Sequence, residues 1–323
     1  MITILTGGTG GAKLARGFAS VLPPGELHVV VNTGDDWAFY GLRVSPDVDM
    51  VIYTLAGMLN QVQGWGLYGD TSAVAERLRA LGEDLWFNLG DQDLAVQLLR
   101  NAWYEKGGTP TGFARWLGQA LGINAVVLPM TDDHVETRIV TENGDRHFEE
   151  YLIKDRGCGT VQKIWFQGAE VSRPTVEVLT ALRESNVIIF GPSNSLVSIG
   201  PILALPDVRE VIENSSALKL AVSPIVGGKV IKGPLASMML DLGMEPSSFT
   251  IAGIYESLIH TFVLDKEDSE QAQRIKQKLN TEVITLDTRM TDKESEITLA
   301  NDLLKYVYNR GAVGGGNNRY STV

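Results

Sequence analysis

Residues 2–21, ITILTGGTGGAKLARGFASV, decide the fold because a buried strand changes into a helix across a run of glycine and threonine. Ile2–Thr6 is apolar and rich in β-branched residues, which is typical of a strand covered on both faces of a sheet. Ala12–Val21 has the composition and spacing of a helix. The Gly7–Gly11 run between them permits a sharp turn and lets a ligand approach the main chain closely. This order predicts the first unit of a parallel α/β sheet.

The glycine run also predicts a phosphate site, because a helix that follows such a loop presents free N–H groups and the positive end of its dipole. Gly8 and Gly10 fit the first two glycines of the dinucleotide motif, but Lys13 occupies the third position. Lys13 also lacks the Ser or Thr that follows a Walker lysine. The alternatives are a plain tight turn and a solvated lysine. The predicted phosphate-binding residues are Gly8, Thr9, Gly10, Gly11 and Lys13.

Strand and helix patterns alternate along most of the chain, which indicates an α/β fold with a Rossmann-like parallel sheet and helices on both faces. The further predicted strands are Leu27–Val31, Asp84–Asn88, Ala125–Leu128, Val187–Phe190, Leu218–Val222, Thr261–Leu264 and Val283–Leu286. The further predicted helices include Val48–Leu59, Ser72–Leu81, Leu94–Trp103 and Gly112–Leu121.

The middle of the chain breaks this alternation. Val135–Val140 and Arg146–Ile153 flank Asn143-Gly144, a strong hairpin signal, and Val161–Phe166 predicts a further strand. We therefore expect a single domain over residues 1–311 with a small antiparallel or helical element inserted near residues 134–167. Residues 312–323 are rich in Gly and Asn and are expected to form a flexible tail.

Composition excludes several classes of protein. Lys plus Arg is 28 and Asp plus Glu is 39, so the net charge of −11 argues against a nucleic-acid binder. No apolar stretch reaches the roughly 18 residues that cross a membrane, and the start lacks the features of a signal peptide. Cys158 is the only cysteine, which excludes an internal disulfide and fits a cytoplasmic protein. The four histidines are not spaced as zinc ligands.

Acidic residues follow the second strand and its neighbouring turn. Asp35 and Asp36 come after Asn32 and could bind a ribose or simply form a turn. Asp47 and Asp49 stand two residues apart in Ser45-Pro46-Asp47-Val48-Asp49, which is also a good helix start with Ser45 as N-cap. Two carboxylates near a phosphate loop could hold Mg²⁺ or take a proton from a hydroxyl.

Further polar loops follow other apolar runs, and each could also be an ordinary capped turn. Loops after parallel strands gather on one edge of the sheet, where ligands bind, so we expect these loops to meet there. The candidate ligand-contacting residues in them are Asn88, Asp91, Gly191, Pro192, Ser193, Asn194 and Ser223.

Eight segments resemble one known family in order along the chain: GGTGGAKL (7–14), VVVNTGDD (29–36), SPDVD (45–49), WGLYGDT (65–71), LGDQD (89–93), INAVVLPMTDD (123–133), GPSNSLVSIGPIL (191–203) and AVSPIVGG (221–228). They resemble the 2-phospho-L-lactate transferases of deazaflavin coenzyme F420 biosynthesis, a family that includes phosphoenolpyruvate transferases. The glycine loop alone would not identify it, because a sister family of nucleotide-sugar-binding regulators has a similar loop.

The resemblance implies a reaction. The terminal hydroxyl of a deazaflavin's ribityl chain attacks a guanosine-diphospho donor that carries a three-carbon acid on its outer phosphate, GMP leaves, and Mg²⁺ is expected. It also implies a homodimer. The acid itself, phospholactyl, phosphoenolpyruvyl or phosphoglyceryl, stays open.

The resemblance also assigns residues. Asp49 matches a position that contacts the deazaflavin, and Asn88 matches another that is often basic in the family. The donor would lie across Gly8–Lys13 and Gly191–Ser195. Asp47 and Asp49 would hold the metal, with Asp49 the first candidate for general base.

Two other functions compete with this interpretation. An NAD-type oxidoreductase requires the third glycine that Lys13 replaces. A nucleotide-sugar or dinucleotide sensor, like the sister family, requires the glycine loop but could dispense with the acidic residues of SPDVD and LGDQD.

Overall fold

The computed structural model describes residues 1–60 and 63–312. Up to the insert, the elements are β1 (Ile2–Thr6), α1 (Gly8–Val21), β2 (Leu27–Val31), β3 (Trp37–Phe39), β4 (Leu42–Val44), α2 (Pro46–Leu55), α3 (Ala73–Ala80), α4 (Asp91–Glu105), α5 (Pro110–Ala120) and β5 (Val126–Pro129). The insert contains β6 (Glu136–Thr141), β7 (Gly144–His147), a π-helix (Glu150–Lys154) and β8 (Val161–Gln167).

The α/β alternation then resumes, with a 3₁₀-helix at Lys266–Asp268. The remaining elements are α6 (Val176–Glu184), β9 (Val187–Phe190), α7 (Ile199–Ala204), α8 (Val208–Asn214), β10 (Leu218–Val222), β11 (Ile225–Val226), β12 (Lys229–Val230), α9 (Leu235–Asp241), α10 (Ser248–Tyr255), β13 (Thr261–Asp265), α11 (Gln271–Leu279), β14 (Glu282–Leu286) and α12 (Lys293–Asn309).

A seven-stranded sheet forms the centre, with the strand order β14-β13-β10-β9-β1-β2-β5. Neighbouring strands in it all run parallel, which confirms the predicted Rossmann-like α/β class. The strand order reverses at β1, because β2 lies on one side of it and β9 on the other. The loops after β1 and β9 therefore stand side by side at the carboxyl edge of the sheet, where ligands bind in such folds.

Successive side chains of each strand fill two cores, one on each face of the sheet. Ile4 lies in the core formed with α1, α2 and α12, whereas Leu5 lies in the core formed with helices of the second half. Both side chains are fully buried. On the first face, Arg16 of α1 and Glu296 of α12 form a buried bidentate ion pair at 2.7 Å. The start of α1 is thus fixed by packing from both neighbouring helices.

Some local predictions need correction. α1 begins at Gly8, so the glycines lie inside the helix and not only before it. The predicted helix start at Ser45 and Pro46 is confirmed, but α2 ends at Leu55 and not at Leu59. The strand predicted at Asp84–Asn88 is wrong, because these residues are irregular. Their apolar side chains pack instead in a small cluster with the β3–β4 hairpin: Phe39, Val44, Phe87 and Leu89.

The insert forms a separate antiparallel sheet with the order β7-β6-β8. The predicted hairpin is confirmed, although Thr141 pairs with Gly144, so that the two loop residues are Glu142 and Asn143. The strand predicted over Arg146–Ile153 ends at His147 and a π-helix follows. The reason is packing: Phe148 and Tyr151, three residues apart, both enter one apolar cluster, which alternating strand positions could not achieve.

Two sequence expectations fall at the limits of the described chain. The predicted flexible tail, residues 312–323, lies outside the described residues except for Ala312. Among the helices of the described ranges, none is both long enough and apolar enough to cross a membrane.

Candidate active site

A cavity of about 670 Å³ opens at the carboxyl edge of the sheet, beside the switch point at β1. Eleven of the residues singled out from the sequence line it: Gly8, Thr9, Gly10, Lys13, Asp35, Asp47, Asn88, Pro192, Ser193, Asn194 and Ser223. Six others do not line it: Gly11, Asn32, Asp36, Asp49, Asp91 and Gly191. The fold thus brings together loops that are separated by nearly two hundred residues.

The glycines of the loop are needed mainly for close packing. A Cβ atom at Gly10 would overlap the carbonyl oxygen of Pro192, and one at Gly11 would overlap the Thr6 side chain. A Cβ atom at Gly7 would overlap the Asp47 carboxylate. Glycine at these positions therefore lets the loop after β9 and the first turn of α2 close on the start of α1. This closeness sets the shape of the cavity.

Asp47 faces the cavity and is held in a fixed orientation. Its Oδ2 accepts a hydrogen bond from Asn32 Nδ2 at 2.9 Å, and the Gly8 N–H also donates to its carboxylate. Asn32 is itself fixed, since its Oδ1 accepts from the Gly34 N–H at 2.8 Å. Burial raises the pKa of Asp47 to about 6, against the two hydrogen bonds that lower it. Asn32 therefore orients Asp47 from behind the cavity wall.

Asp49 points to the other side of α2. It forms a buried ion pair with Arg100 of α4, and its Oδ2 accepts from Gln97 Nε2 at 3.1 Å. Residues two apart on a helix differ by about 200° in direction. The carboxylates of Asp47 and Asp49 therefore do not converge on one metal ion. Within residues 1–60 and 63–312 no group of three or more His, Cys, Asp or Glu side chains could hold a metal.

The two acids after β2 also differ in position. Asp35 lines the cavity, and its buried Oδ1 has no hydrogen-bond partner among the described residues. Burial, followed by the charges of Asp47 and Glu149, raises the pKa of Asp35 well above its ordinary value. Asp36 instead accepts a hydrogen bond from Ser45 Oγ at 2.7 Å, and burial raises its pKa to about 8. Asp36 thus secures the start of α2, and Asp35 faces the ligand space.

Glu149 is a cavity residue that the sequence analysis missed. It stands at the start of the π-helix and is 6% exposed. Burial and the charges of Asp47 and Asp36 raise its pKa to about 8. No local sequence signal identifies it, because the residues around it have the pattern of a strand although they form a π-helix. Only the tertiary structure brings the residue to the cavity.

The acidic loop before α4 has two different roles. Asn88 lines the cavity, and its Oδ1 accepts a hydrogen bond from Arg79 of α3. Asp91 lies outside the cavity and accepts hydrogen bonds from the N–H groups of Ala73 and Val74, both at 3.0 Å. Asp91 therefore stabilises the start of α3.

The loop after β9 combines structural contacts with one open donor. Ser193 Oγ donates to the Gly7 carbonyl at 2.7 Å and lies 2.9 Å from Thr6 Oγ1, so this hydroxyl joins the two loops. Ser223 Oγ is similarly engaged with Ser248 Oγ at 3.0 Å. Asn194 differs, because its buried Nδ2 has no partner among the described residues. It is a hydrogen-bond donor available to a ligand oxygen.

Two lysines line the cavity on the side of the glycine loop. Lys13 Nζ donates to the Met290 carbonyl at 2.7 Å, and Lys232 Nζ donates to the Gly64 carbonyl at 3.3 Å. Burial and the charge of Lys13 lower the pKa of Lys232. Neither lysine forms an ion pair within the described part of the chain. Two ammonium groups without a counter-charge favour an anion between them.

Much of the remaining cavity lining is apolar and comes from segments that are distant in sequence. It is formed by Met50, Trp65, Phe87, Phe148, Leu152, Ile153, Val230 and Ile231. An apolar wall opposite a set of charged groups suits a ligand that has a flat ring at one end and anionic groups at the other.

Comparison with solved structures supports the fold. A protein of the UPF0052 family from Bacillus halodurans superimposes with a TM-score of 0.59 and 14% sequence identity, covering 94% of this chain and 98% of that one. At this identity the likeness concerns the fold alone.

Comparison with known sequences is closer. The 2-phospho-L-lactate transferase of Methanospirillum hungatei is 36% identical over 271 residues, 84% of this chain and 91% of the relative. The phosphoenolpyruvate transferase of Streptomyces coelicolor is 37% identical over 281 residues, 85% of this chain and 88% of the relative. The family model described as 2-phospho-L-lactate transferase CofD matches residues 2–304. The chain therefore belongs to the CofD family of transferases, whose place is in coenzyme F420 biosynthesis.

Proposed function

We propose that this enzyme transfers a phosphorylated three-carbon acid from a guanosine-diphospho donor to the ribityl hydroxyl of 7,8-didemethyl-8-hydroxy-5-deazariboflavin, with release of GMP. The observation that supports this reaction best is the composition of the cavity at the carboxyl edge of the sheet. It joins an uncapped helix start and two lysines to buried carboxylates and an apolar wall. Each part suits one portion of the two substrates.

The donor fits the glycine-loop side. The start of α1 has no side-chain cap, so its dipole and its N–H groups beyond Gly8 are available to phosphate oxygens. Lys13, Lys232 and the Asn194 amide add positive charge and a donor. Transfer at phosphorus builds negative charge on these oxygens, so groups held in place before the reaction stabilise the transition state.

The acceptor fits the apolar wall. Trp65, Phe87 and Phe148 offer aromatic surface for the deazaflavin ring. The cavity volume, about 670 Å³, lies within the roughly 300–1,000 Å³ that is usual for small-molecule sites. With its ring on this wall, the acceptor would direct its polar ribityl chain toward Asp47 and the glycine loop.

Magnesium fits the carboxylates that face the cavity. Mg²⁺ is usually bound by one or two carboxylates together with substrate phosphates, so a set of three protein ligands is not required. Asp47, and Asp35 through its unpartnered Oδ1, are the groups that would hold it. Bound there, the ion would neutralise charge on the donor phosphates. Asp49 is not proposed as a ligand, because Arg100 already neutralises it.

The chain's own residues then position the reactants. Asn32 and the Gly8 N–H fix the Asp47 carboxylate, while Lys13 and the helix dipole hold the donor phosphates. The apolar wall excludes water from the acceptor side, which favours transfer to the ribityl hydroxyl over hydrolysis of the donor.

The test is to incubate the protein and Mg²⁺ with the deazaflavin and each activated donor in turn: phospholactyl, phosphoenolpyruvyl and phosphoglyceryl. We expect a deazaflavin phosphodiester of the corresponding mass and an equimolar amount of GMP from at least one donor. Nucleotide binding without product from any donor would contradict the proposal and favour a nucleotide-binding regulator. The names of the relatives do not identify the transferred acid, because a 2-phospho-L-lactate transferase and a phosphoenolpyruvate transferase are about equally identical to this chain, at 36% and 37%.

A homodimer and a cytoplasmic location, both implied by the family resemblance and the composition, remain predictions. Light scattering on the purified protein at micromolar concentration measures the first. A mass of one chain, 35.2 kDa, would contradict it.

A further inference from the structure

Glu149 is a buried carboxylate whose acidic group has no protein partner. The residue is 6% exposed and lines the cavity, yet no described group hydrogen-bonds its carboxylate. Its own N–H donates to His147 Nδ1 at 3.2 Å, which uses only the main chain. A buried carboxylate without partners is costly, so a ligand group that donates a hydrogen bond to it would relieve that cost.

The other acids near the cavity either have a partner in the protein or are proposed to hold Mg²⁺. Asp49 is paired with Arg100, and Asp36 accepts from Ser45. Asp47 is held by Asn32 and Gly8, and Asp35, whose Oδ1 is unpartnered among the described residues, is proposed with Asp47 to hold Mg²⁺. Glu149 is therefore the carboxylate best placed to receive a proton from a bound substrate.

The main chain at Glu149 is held rigidly. Its neighbours Phe148 and Tyr151 are buried in an apolar cluster with Val197 and Met238, where they are 6% and 1% exposed. These two anchors, one before and one after Glu149, fix the segment that presents the carboxylate. A catalytic group benefits from such support, because small displacements cost rate.

Its segment lines the part of the cavity that is proposed for the acceptor. Phe148, Leu152 and Ile153, from the same short segment, form part of the apolar wall proposed for the acceptor. The charge of Asp47, whose carboxylate adjoins the glycine loop, acts directly on Glu149. An acceptor ring on this wall therefore brings its hydroxyl to Glu149 as it approaches the donor phosphate.

We propose that Glu149 is the catalytic base of the transfer and accepts the proton of the attacking ribityl hydroxyl. The inference rests on the proposed function, for which it supplies the proton acceptor. The hydroxyl O–H bond breaks as its oxygen forms a bond to the outer phosphorus of the donor. The bond from that phosphorus to the GMP oxygen breaks, and GMP leaves with the electron pair. The proton passes from Glu149 to solvent after the product departs.

This role gives a defined pH dependence. The titratable groups that face Glu149 are Asp35 and Asp36 after β2, Asp47 on α2 and His147 on β7. Burial, followed by the charges of Asp47 and Asp36, raises the Glu149 pKa, and burial lowers the pKa of His147. Glu149 can accept the hydroxyl proton only in its ionised form, so kcat should rise with pH until this form is complete.

The experiment compares Glu149→Gln with the wild type and with Glu150→Gln. Glu150 is the adjacent acid on the same π-helix, but it does not line the cavity. Measured with the donor that the wild type uses, Glu149→Gln should lower kcat about 100-fold or more, as loss of a general base does, and should abolish the rise with pH. The acceptor KM and GDP binding should change less than threefold. Glu150→Gln should behave as the wild type.

Each other result overturns the inference. Glu149→Gln with kcat within threefold of the wild type, or with a raised acceptor KM alone, would show that Glu149 is not the base. Activity restored by excess Mg²⁺ would make it a metal ligand. A loss matched by a lower melting temperature would make its role structural. If the wild type makes no product with any donor, the proposed function fails with it, whereas an active Glu149→Gln overturns only the inference.

Discussion

Each side of α2 carries one aspartate, and the two carboxylates have different surroundings. Asp47 faces the cavity with a carboxylate held by neutral hydrogen-bond donors, and Asp49 faces the core against the guanidinium of Arg100. The two residues stand two positions apart in the first turn of α2, and this spacing was the basis for predicting that they act together. Their environments make one a candidate for ligand chemistry and the other part of the scaffold. The role of each acid is therefore decided by the groups that the fold places beside it, and not by its residue type.

The largest effect should come from breaking the buried ion pair between Arg100 and Asp49. Arg100 is 1% exposed, and Arg100→Ala leaves the Asp49 charge buried without its partner. Loss of one member of a buried pair typically costs about 3–5 kcal/mol, which urea denaturation would measure. The matched control is Arg115→Ala, whose pair with Glu177 is exposed and should cost at most about 1 kcal/mol. A cost for Arg100→Ala as small as that of the control would refute the scaffold role.

The second test separates the two acids by activity. Asp47→Asn should lower kcat about 100-fold, because it weakens a proposed ligand of the Mg²⁺ that would neutralise the donor phosphates, while the protein stays folded. Asp49→Asn should lower the melting temperature, with kcat and the acceptor KM nearly unchanged at temperatures where it is folded. The double variant Asp49→Asn with Arg100→Met, which removes both charges, should recover part of that stability.

The reverse outcome would support the contact that the family resemblance assigns to Asp49. A folded Asp49→Asn protein with a strongly raised acceptor KM would mean that Asp49 reaches the deazaflavin. The ion pair with Arg100 would then have to open when the substrate binds.

The sequence could predict the frame of the site but not the partners of its side chains. The β1–loop–α1 unit and the loop at Gly191–Asn194 were found because glycine and β-branched residues act locally. The helix predicted from Ser45 and Pro46 already turns Asp49 away from Asp47, but its partner Arg100 could not be predicted, because it lies 51 residues later on another helix. Glu149 was hidden for a similar reason, since a π-turn and the insert's own core bring it to the cavity.

A smaller effect should follow from filling the glycine loop. Gly10→Ala would force its Cβ atom against the Pro192 carbonyl, a main-chain atom that cannot rotate away. Overpacking of this kind costs about 1–3 kcal/mol, and displacement of the loop after β9 should weaken GDP binding about tenfold. Gly118→Ala is the control, because no atom lies within 4 Å of its Cβ position in α5. It should be neutral or stabilising by up to about 1 kcal/mol.

The smallest effect is a change of stability with pH, which can be measured without an activity assay. Asp47, Asp36 and Glu149 have pKa values raised to about 6, 8 and 8 in the folded protein. An acid whose pKa is raised by folding stabilises the folded state only while it is protonated. Its contribution is therefore complete below the pKa of the unfolded state and is lost as the pH rises through the pKa of the folded state. The melting temperature should therefore fall from pH 5.5 to pH 8.5, by about 2–4 °C for each kcal/mol lost. Asp36→Asn, which removes an acid that does not line the cavity, should flatten the profile and leave GDP binding intact. A melting temperature that rises over this range would show that these carboxylates are stabilised as anions in the folded protein.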